Sequence, residues 1–136
     1  MSAPIELLQH VPLFKGLDDK SLKNLSAEFT ERKFNEGQEL TAEGSGGAGF
    51  FVIESGTAKV TVDGEDRRTL GPGDYYGEIA LIDGGTRTAT ITAESDGVAY
   101  GLTKWQFKPL IEMHGEIAWP LLEAMAKRTR ELDHHH

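Results

Sequence analysis

The sequence contains no cysteine, and this absence excludes two kinds of structure. Without thiols the chain can form neither a disulfide framework nor a thiolate-bound metal site. It also lacks any run of eighteen consecutive apolar residues, which a membrane-spanning helix would need. The first residues, 1–6, do not have the charged and apolar regions of a signal peptide. We therefore expect a cytoplasmic protein that contacts no membrane.

Basic residues are scarce relative to acidic ones. Fourteen lysines and arginines stand against twenty-two aspartates and glutamates, which leaves a net charge of −8. Binding to nucleic acid depends on clustered lysine and arginine, so we expect no nucleic-acid partner for this chain. The length of 136 residues suits one domain with a single core, which we assign to residues 1–132. Residues 133–136 read as the remnant of a purification tag.

Helical patterns occur at both ends of the chain. Residues 1–30 look helical with a break at Pro12, and Asp18 precedes a helix start with Leu22 and Leu25 on one face. Residues 104–113 predict another helix. Residues 116–132 predict the last, with one apolar side formed by Ile117, Leu121, Leu122, Met125, Thr129 and Leu132.

The region between these helices consists of short apolar runs punctuated by glycine. The run 56–62 alternates between apolar and polar residues, and Asp63-Gly64 is a hairpin signal. Further strands are predicted at 49–53, 67–70, 89–93 and 98–102. Short strands at this spacing indicate a sandwich or jelly roll rather than a parallel sheet.

One segment combines the groups that a buried phosphate requires. Glu78 and Arg87 lie nine residues apart, with small residues between them. Arg87 offers a planar, permanently charged guanidinium group, and Glu78-Ile79-Ala80-Leu81 can form one helical turn whose unpaired N–H groups face an anion. Gly77 permits a sharp entry, and Ala80 lets the backbone approach closely. Glu78 can also accept a hydrogen bond from a hydroxyl group.

Residues 76–90 resemble the phosphate-binding cassette of cyclic nucleotide-binding domains, whose pattern is roughly F-G-E-[IL]-A-L-[IL]-x-x-x-[PT]-R-x-A-[TS]. Tyr76 replaces the initial phenylalanine. Residues 50–60 also resemble a hairpin of the family, F-x-I-x-x-G-x-x-x-V, and residues 70–78 resemble its pattern L-x-x-G-D-x-F-G-E. The resemblance covers about 4–132. It implies a mostly β fold with helical flanks. The expected architecture is an eight-stranded double-stranded β-helix (jelly roll) with N-terminal helices, a short phosphate-binding helix and two C-terminal helices.

The resemblance also implies a role for individual residues. Glu78 would bind the ribose, Arg87 with the backbone of Ala80 and Thr88 would bind the phosphate, and Val60 would line the cavity for base and ribose. Gly77, Ile79 and Ala89 complete the expected ligand-binding set. The last helix would act as a lid, for which the candidate residues are Arg128, Thr129 and Leu132.

Thr88 bears on the choice of ligand. Its hydroxyl group could bond the additional amino group of a guanine, or it could simply contact the phosphate. We therefore expect cyclic AMP as the ligand, with cyclic GMP accepted as well.

The expected function is a regulatory binding domain without catalysis, cofactor or metal, which couples nucleotide binding to movement of the last helix. An interaction scaffold that has kept the fold and lost the ligand is the alternative. A jelly-roll metalloenzyme is disfavoured, because His10 and His114 are the only histidines before the tag. The partner would be an effector outside this chain, or a second copy bound through the last helix.

Overall fold

The computed structural model describes residues 3–41, 49–77 and 89–134. Three short helical elements precede the first strand. They are α1 (Ile5–Gln9), a 3₁₀ turn (Pro12–Phe14) and α2 (Asp19–Glu28). The carboxylate of Asp18 accepts a hydrogen bond from the Ser21 N–H group at 2.8 Å, which caps α2 and lowers the pKa of Asp18. The predicted helix start at this position is confirmed.

Eight strands follow in two antiparallel sheets, which confirms the predicted mostly β jelly-roll fold with helical flanks. The first sheet has the order β1-β8-β3-β6, and the second has the order β2-β7-β4-β5. The predicted phosphate-binding helix lies within 78–88, outside the described residues. The strands are β1 (Thr30–Phe34), β2 (Glu39–Thr41), β3 (Gly49–Ser55), β4 (Ala58–Val62), β5 (Glu65–Leu70), β6 (Tyr75–Tyr76), β7 (Thr90–Ala93) and β8 (Gly97–Thr103).

The predicted hairpin between β4 and β5 is present. Asp63 and Gly64 have φ angles of 53° and 79°, so both central residues are left-handed, as a type I′ turn requires. The aspartate tolerates this conformation better than most residues, and the glycine adopts it without steric cost.

Alternating side chains of β3 divide the core into two parts. Phe50 and Val52 pack toward the helices, whereas Phe51 and Ile53 point between the sheets. The helix-side cluster is built around Phe14, Leu25, Phe29, Phe50, Val52, Tyr100 and Leu102. The inter-sheet cluster comprises Phe34, Phe51, Ile53, Ala58, Val60, Leu70, Ala89, Ile91, Ala93 and Ala99.

The turns at one end of the sandwich are joined by hydrogen bonds, and we call this the closed end. The Gly37 N–H group donates to the Ala93 carbonyl at 2.8 Å, and the Gly73 N–H group donates to the Ile53 carbonyl at 2.8 Å. The Thr57 N–H group donates to the Ser95 hydroxyl at 3.0 Å. These bonds tie turns from both sheets together, so the closed end is held by backbone contacts as well as by the core.

The C-terminal part begins with α3 (Lys104–Met113), whose bounds agree with the prediction. Its first turn is closed by a capping box, in which the Thr103 hydroxyl accepts the Gln106 N–H at 3.2 Å and the Gln106 side chain accepts the Thr103 N–H at 3.0 Å. A second 3₁₀ turn (Gly115–Ile117) leads into α4 (Ala118–His134). Within the described residues, no helix combines the length and the apolar composition needed to cross a bilayer.

The predicted apolar side of the last helix was partly wrong. Ile117 and Leu121 are buried as expected, but Leu122 and Thr129 are exposed. The reason is geometric, because successive residues are about 100° apart on a helix and burial of Leu121 turns Leu122 away from the core. The side that packs therefore continues through the half-buried Ala124 and Met125.

Candidate functional site

The predicted ligand-binding residues divide into those that the structure describes and those that it does not. Val60, Gly77 and Ala89 are described. The remaining predicted contacts, Glu78, Ile79, Ala80, Arg87 and Thr88, lie outside the described residues. The described part of the candidate site therefore consists of its two flanks and the interior wall next to them.

The strand registers place both flanks at the same end of the sandwich, opposite the closed end. Tyr76 of β6 pairs with Phe51 of β3, and Gly77 follows it with a φ of 97°. Ala89 precedes β7, whose first residue Thr90 pairs with Thr61 near the β4–β5 hairpin. We call this the open end. Gly77 follows β6 of the first sheet and Ala89 precedes β7 of the second, so the two flanks belong to different sheets.

Val60 and Ala89 form part of one apolar wall at the open end. Val60 is 4% exposed and Ala89 is 1% exposed, and both belong to the inter-sheet cluster. Val60 pairs with Ile91 across β7, so these two side chains share the inner face. Such a wall can pack against a flat base or a sugar ring, but it carries no charge to balance a phosphate.

Tyr76 occupies the position where the family pattern has phenylalanine. Its ring is half-buried against the inter-sheet cluster, and its centroid lies 6.3 Å from that of Phe51 at an interplanar angle of 35°. The tyrosine therefore keeps the aromatic packing that a phenylalanine would make at this edge of the sheet.

Arg68 is a cation on β5, the strand next to β4. It pairs with Val60 across β4 and β5, so its side chain starts on the same face as that of Val60. The residue is exposed, and it makes no ion pair with another described residue. Arg68 lies two residues before the buried Leu70, and residues two apart in a strand share a face. This spacing could have indicated the face on which the Arg68 side chain starts.

Lys59 shows the contrasting arrangement on the outer face of the same strand. Its ammonium group lies 3.3 Å from the Asp66 carboxylate and 3.6 Å from that of Glu94. The hydrogen bond to Asp66 is the main reason that the pKa of Lys59 is raised, and the Glu94 charge adds to the effect. Lys59 is therefore engaged in a surface network and is turned away from the apolar wall.

The candidate lid residues lie on α4. Thr129 is exposed, and its hydroxyl group donates to the Met125 carbonyl at 2.9 Å. The side chains of Arg128 and Leu132 are outside the described part. The first turn of α4 packs on the N-terminal segment, where a Cβ added at Gly16 would lie 3.0 Å from the Cβ of Pro120.

Metal ligands are not grouped in the part of the chain that the structure describes, since no three His, Cys, Asp or Glu side chains there could hold an ion together. His114 instead lies beside Glu116, with 3.6 Å between its Nδ1 atom and a carboxylate oxygen. This contact joins the end of α3 to the second 3₁₀ turn.

Comparison with known proteins gives a family match and close structural neighbours. The family described as "Cyclic nucleotide-binding domain" matches residues 31–114. A cGMP-dependent protein kinase of Drosophila melanogaster, isozyme 2 forms cD5/T2, is 37% identical over 101 residues, which cover 69% of this chain and 11% of the kinase. The chain spans only part of the length of such relatives, for example 9% of forms cD4/T1/T3A/T3B of the same kinase and 58% of a CRP-like cAMP-activated global transcriptional regulator of Mycobacterium tuberculosis.

Two solved structures are similar over most of the chain. The N-terminal domain of a transcriptional regulator from Streptomyces coelicolor A3(2) has a TM-score of 0.87 and 32% identity, and the match covers 96% of this chain and 94% of that domain. The regulatory domain of Toxoplasma gondii PKA, crystallised with cAMP, has a TM-score of 0.71 and 31% identity, with 78% of this chain and 42% of the other covered.

Proposed function

Because this chain belongs to the family of cyclic nucleotide-binding domains, we propose that it is a regulatory module that binds cyclic AMP, and also cyclic GMP, without catalysing a reaction. One observation carries the proposal: the family match spans residues 31–114 and so includes the whole segment 76–90. The apolar wall formed by Val60 and Ala89 beside the flanks of that segment supports it.

The chemistry of the segment suits a cyclic phosphodiester. Burying its negative charge requires a paired cation and several hydrogen bonds. In our proposal Arg87 supplies the cation, and the backbone N–H groups around Ala80 and Thr88 supply the hydrogen bonds. Glu78 accepts a hydrogen bond from the ribose hydroxyl, while Val60 packs against the ribose and base.

The regulatory step in this proposal is a change in the position of α4. A ligand shifts a conformational equilibrium only by the difference between its affinities for the two states. Nucleotide would therefore favour the state in which α4 lies over the ligand, with Arg128, Thr129 and Leu132 as the candidate contacts. We infer that the effector that responds is a domain or protein outside this chain.

The most specific part of the proposal is the preference between the two nucleotides. The similar proteins include a kinase named for cGMP and a regulatory domain crystallised with cAMP, so similarity alone favours neither. We retain cyclic AMP as the primary ligand and cyclic GMP as an accepted one, the latter through the Thr88 hydroxyl. A competitive titration of the two nucleotides would rank them, and Thr88→Ala should weaken cyclic GMP more than cyclic AMP if that hydroxyl contacts guanine.

Isothermal titration calorimetry with wild-type protein and Arg87→Leu tests the site directly. The variant should bind cyclic AMP at least about 30-fold more weakly, because truncating one partner of a buried charge pair costs about 2 kcal/mol or more. Arg67→Leu is a matched control, since it removes the same charge from a surface position on β5, where Arg67 pairs with Glu65 at 3.8 Å. It should bind like the wild type.

Two results would count against the proposal. Unchanged affinity in Arg87→Leu would remove that residue from the phosphate site. If neither nucleotide gave a binding signal at millimolar concentration with folded wild-type protein, the alternative of a scaffold that has lost its ligand would be favoured instead.

A further inference from the structure

The strand β6 consists of two aromatic residues that point to opposite sides of the first sheet. Adjacent residues of a strand alternate in direction, so Tyr75 packs against the helix-side cluster and Tyr76 packs against the inter-sheet cluster. Gly77 follows directly, and Glu78 is the next residue in the sequence. The placement of β6 therefore determines where the chain enters the segment 76–90.

The backbone contacts of β6 are few. In the part of the chain that the structure describes, β6 lies at the edge of the first sheet and pairs with β3 through Val52 and Phe51. The turn before β6 adds two hydrogen bonds. The Ile53 N–H group donates to the Asp74 carbonyl at 2.9 Å, and the Gly73 N–H group donates to the Ile53 carbonyl at 2.8 Å. A strand of two residues at a sheet edge opens easily unless its side chains are also held.

Tyr75 makes a side-chain contact that holds β6 on the helix side of the sheet. Its ring centroid lies 6.0 Å from that of Phe50, at an interplanar angle of 43°. Phe50 is fully buried, and its ring makes edge-to-face contacts with Phe14 at 5.6 Å and Phe29 at 6.0 Å. Aromatic pairs at these distances are favourable beyond the apolar area that they bury. Tyr75 thus attaches β6 to the core beneath the N-terminal helices.

Given the proposed function, we propose that Tyr75 is a positioning residue for nucleotide binding, because its ring holds the entry to the segment 76–90 in place. Position 75 is one where the family pattern L-x-x-G-D-x-F-G-E fixes no residue. Tyr75 also packs in a different core cluster from Val60 and Ala89, which form the apolar wall. It therefore acts through the position of β6 and not through contact with the nucleotide.

The expected effect follows from the fraction of molecules in which β6 is correctly placed. When the binding-competent state is only partly populated, the apparent Kd equals the intrinsic Kd divided by that fraction. If removal of the Tyr75 ring leaves β6 in place in about a tenth of the molecules, the apparent Kd for cyclic AMP rises about 10-fold.

Isothermal titration calorimetry with cyclic AMP tests the proposal. Tyr75→Ala should bind about 10-fold more weakly than the wild type, whereas Tyr75→Phe keeps the ring and should bind like the wild type. Leu22→Ala is the matched control, because it removes apolar volume from the same core cluster at a buried position on α2. It should lower the stability and leave the affinity unchanged. If Tyr75→Ala does not fold, Tyr75→Val replaces the ring with a strand-forming residue and should show the same loss of affinity.

Hydrogen exchange followed by NMR supplies a readout that needs no nucleotide. The amides of Ile53 and Gly73 form the hydrogen bonds beside β6. Both should exchange faster in Tyr75→Ala than in the wild type and in Tyr75→Phe, because β6 opens more often. The amides of β1, which pairs with β8 on the other side of the sheet, should exchange at the same rate in all three proteins.

Three outcomes would overturn the role of Tyr75. They are an unchanged affinity in Tyr75→Ala or Tyr75→Val, an equal loss of affinity in Leu22→Ala, and unchanged exchange at Ile53 and Gly73. In each of these cases the wild type can still bind cyclic AMP, so the proposed function would stand. Wild-type protein that binds neither nucleotide would instead overturn the proposed function, and the role of Tyr75 in binding with it.

Discussion

At the scale of single residues, the packing of the closed end depends on the ring of Phe34 and on the lack of a side chain at Gly97 beside it. Phe34 is 3% exposed and belongs to the inter-sheet cluster. Gly97 lies so close that an added Cβ would stand 2.5 Å from the Phe34 ring and would also meet the Ser55 carbonyl oxygen. The backbone of Ser55 has little room to retreat, because β3 pairs with β8 at this point. The ring and the two strands therefore pack only if residue 97 has no side chain.

Gly97→Ala should lower the free energy of unfolding by about 3 kcal/mol, since the added methyl group forces the strands or the ring to move. Urea unfolding followed by circular dichroism measures the change. Gly71→Ala is the control, because an added Cβ there meets nothing within 4 Å, and its effect should be much smaller. Equal effects for the two variants would contradict this account of the closed end.

A buried phenol gives the protein a sensitivity to alkaline pH. Tyr100 is 3% exposed, and its hydroxyl group donates to the Glu31 carboxylate at 3.5 Å. Burial raises the pKa of Tyr100, and the nearby charges of Glu54 and Glu31 raise it further. The folded state therefore keeps this proton at a pH where the unfolded chain has already released it.

The free energy of unfolding should fall as pH rises above about 10, the ordinary pKa of tyrosine. The contribution of Tyr100 to the free energy of unfolding is fully present below that pH. It is lost as the pH rises toward the higher pKa that Tyr100 has in the folded state. Lys59, whose pKa is also raised, loses its contribution in the same direction. Urea unfolding at a series of alkaline pH values should show a shallower decline for Tyr100→Phe, and an identical decline would contradict the assignment.

At the scale of elements, the start of α3 is fixed by the capping box that Thr103 and Gln106 form. Thr103 is the last residue of β8, and its hydroxyl group accepts the Gln106 N–H. Gln106 also donates through its side-chain amide to the Glu28 carbonyl at 3.0 Å, at the end of α2. The cap therefore connects three elements, since it ends a strand, starts a helix and holds that helix against another.

Thr103→Ala should lower the free energy of unfolding by about 1 kcal/mol, the usual effect of removing a helix cap. Thr103→Ser keeps a hydroxyl group at the same position and should retain most of the stability. Thermal unfolding of the two variants beside the wild type measures the difference. A serine variant as unstable as the alanine variant would show that the methyl group, rather than the hydrogen bond, is important.

Sequence patterns predicted the elements that carry their own local signals. Alternation predicted β4, and the Asp63-Gly64 signal predicted its hairpin. In contrast, β1 was not predicted as a separate strand, because only Phe34 of its five residues is buried. It forms by pairing with β8 along its whole length, which is a tertiary contact that local pattern does not report. The two-residue β6 is likewise held by its pairing with β3.

For the candidate site, the ligand-binding roles of Val60, Gly77 and Ala89 stay predictions, although Val60 and Ala89 do belong to one buried cluster. Glu78, Ile79, Ala80, Arg87 and Thr88 stay predictions. The orientation of Arg68 was not predicted, because an exposed arginine in a polar strand resembles any other surface residue. Only the register with Val60 shows which face it shares.

At the scale of the whole molecule, stability and ligand binding are linked by mass action. A ligand that binds only the folded state at a hundred times its dissociation constant raises the free energy of unfolding by about 2.7 kcal/mol. For a domain of this length, each kcal/mol corresponds to a rise in Tm of roughly 4 °C. The size of the shift therefore reports occupancy of the site under our proposal.

Saturating cyclic AMP should thus raise the Tm of the wild type by roughly 10 °C in differential scanning calorimetry. At the same nucleotide concentration, Arg87→Leu should show little or no shift, whereas Arg67→Leu should match the wild type. Comparable shifts in all three proteins would mean that the nucleotide stabilises the chain through some other contact.

The positions of the aromatic residues have a practical consequence for following the molecule by light. Both tryptophans of the chain, Trp105 and Trp119, lie on the terminal helices, whereas all three tyrosines lie on β6 and β8. Indole emission is thus an intrinsic optical reporter of the helical part alone, with no label attached. Acrylamide quenching of that emission would follow rearrangement of α3 and α4 in real time, while near-ultraviolet signals from tyrosine would monitor the sandwich separately.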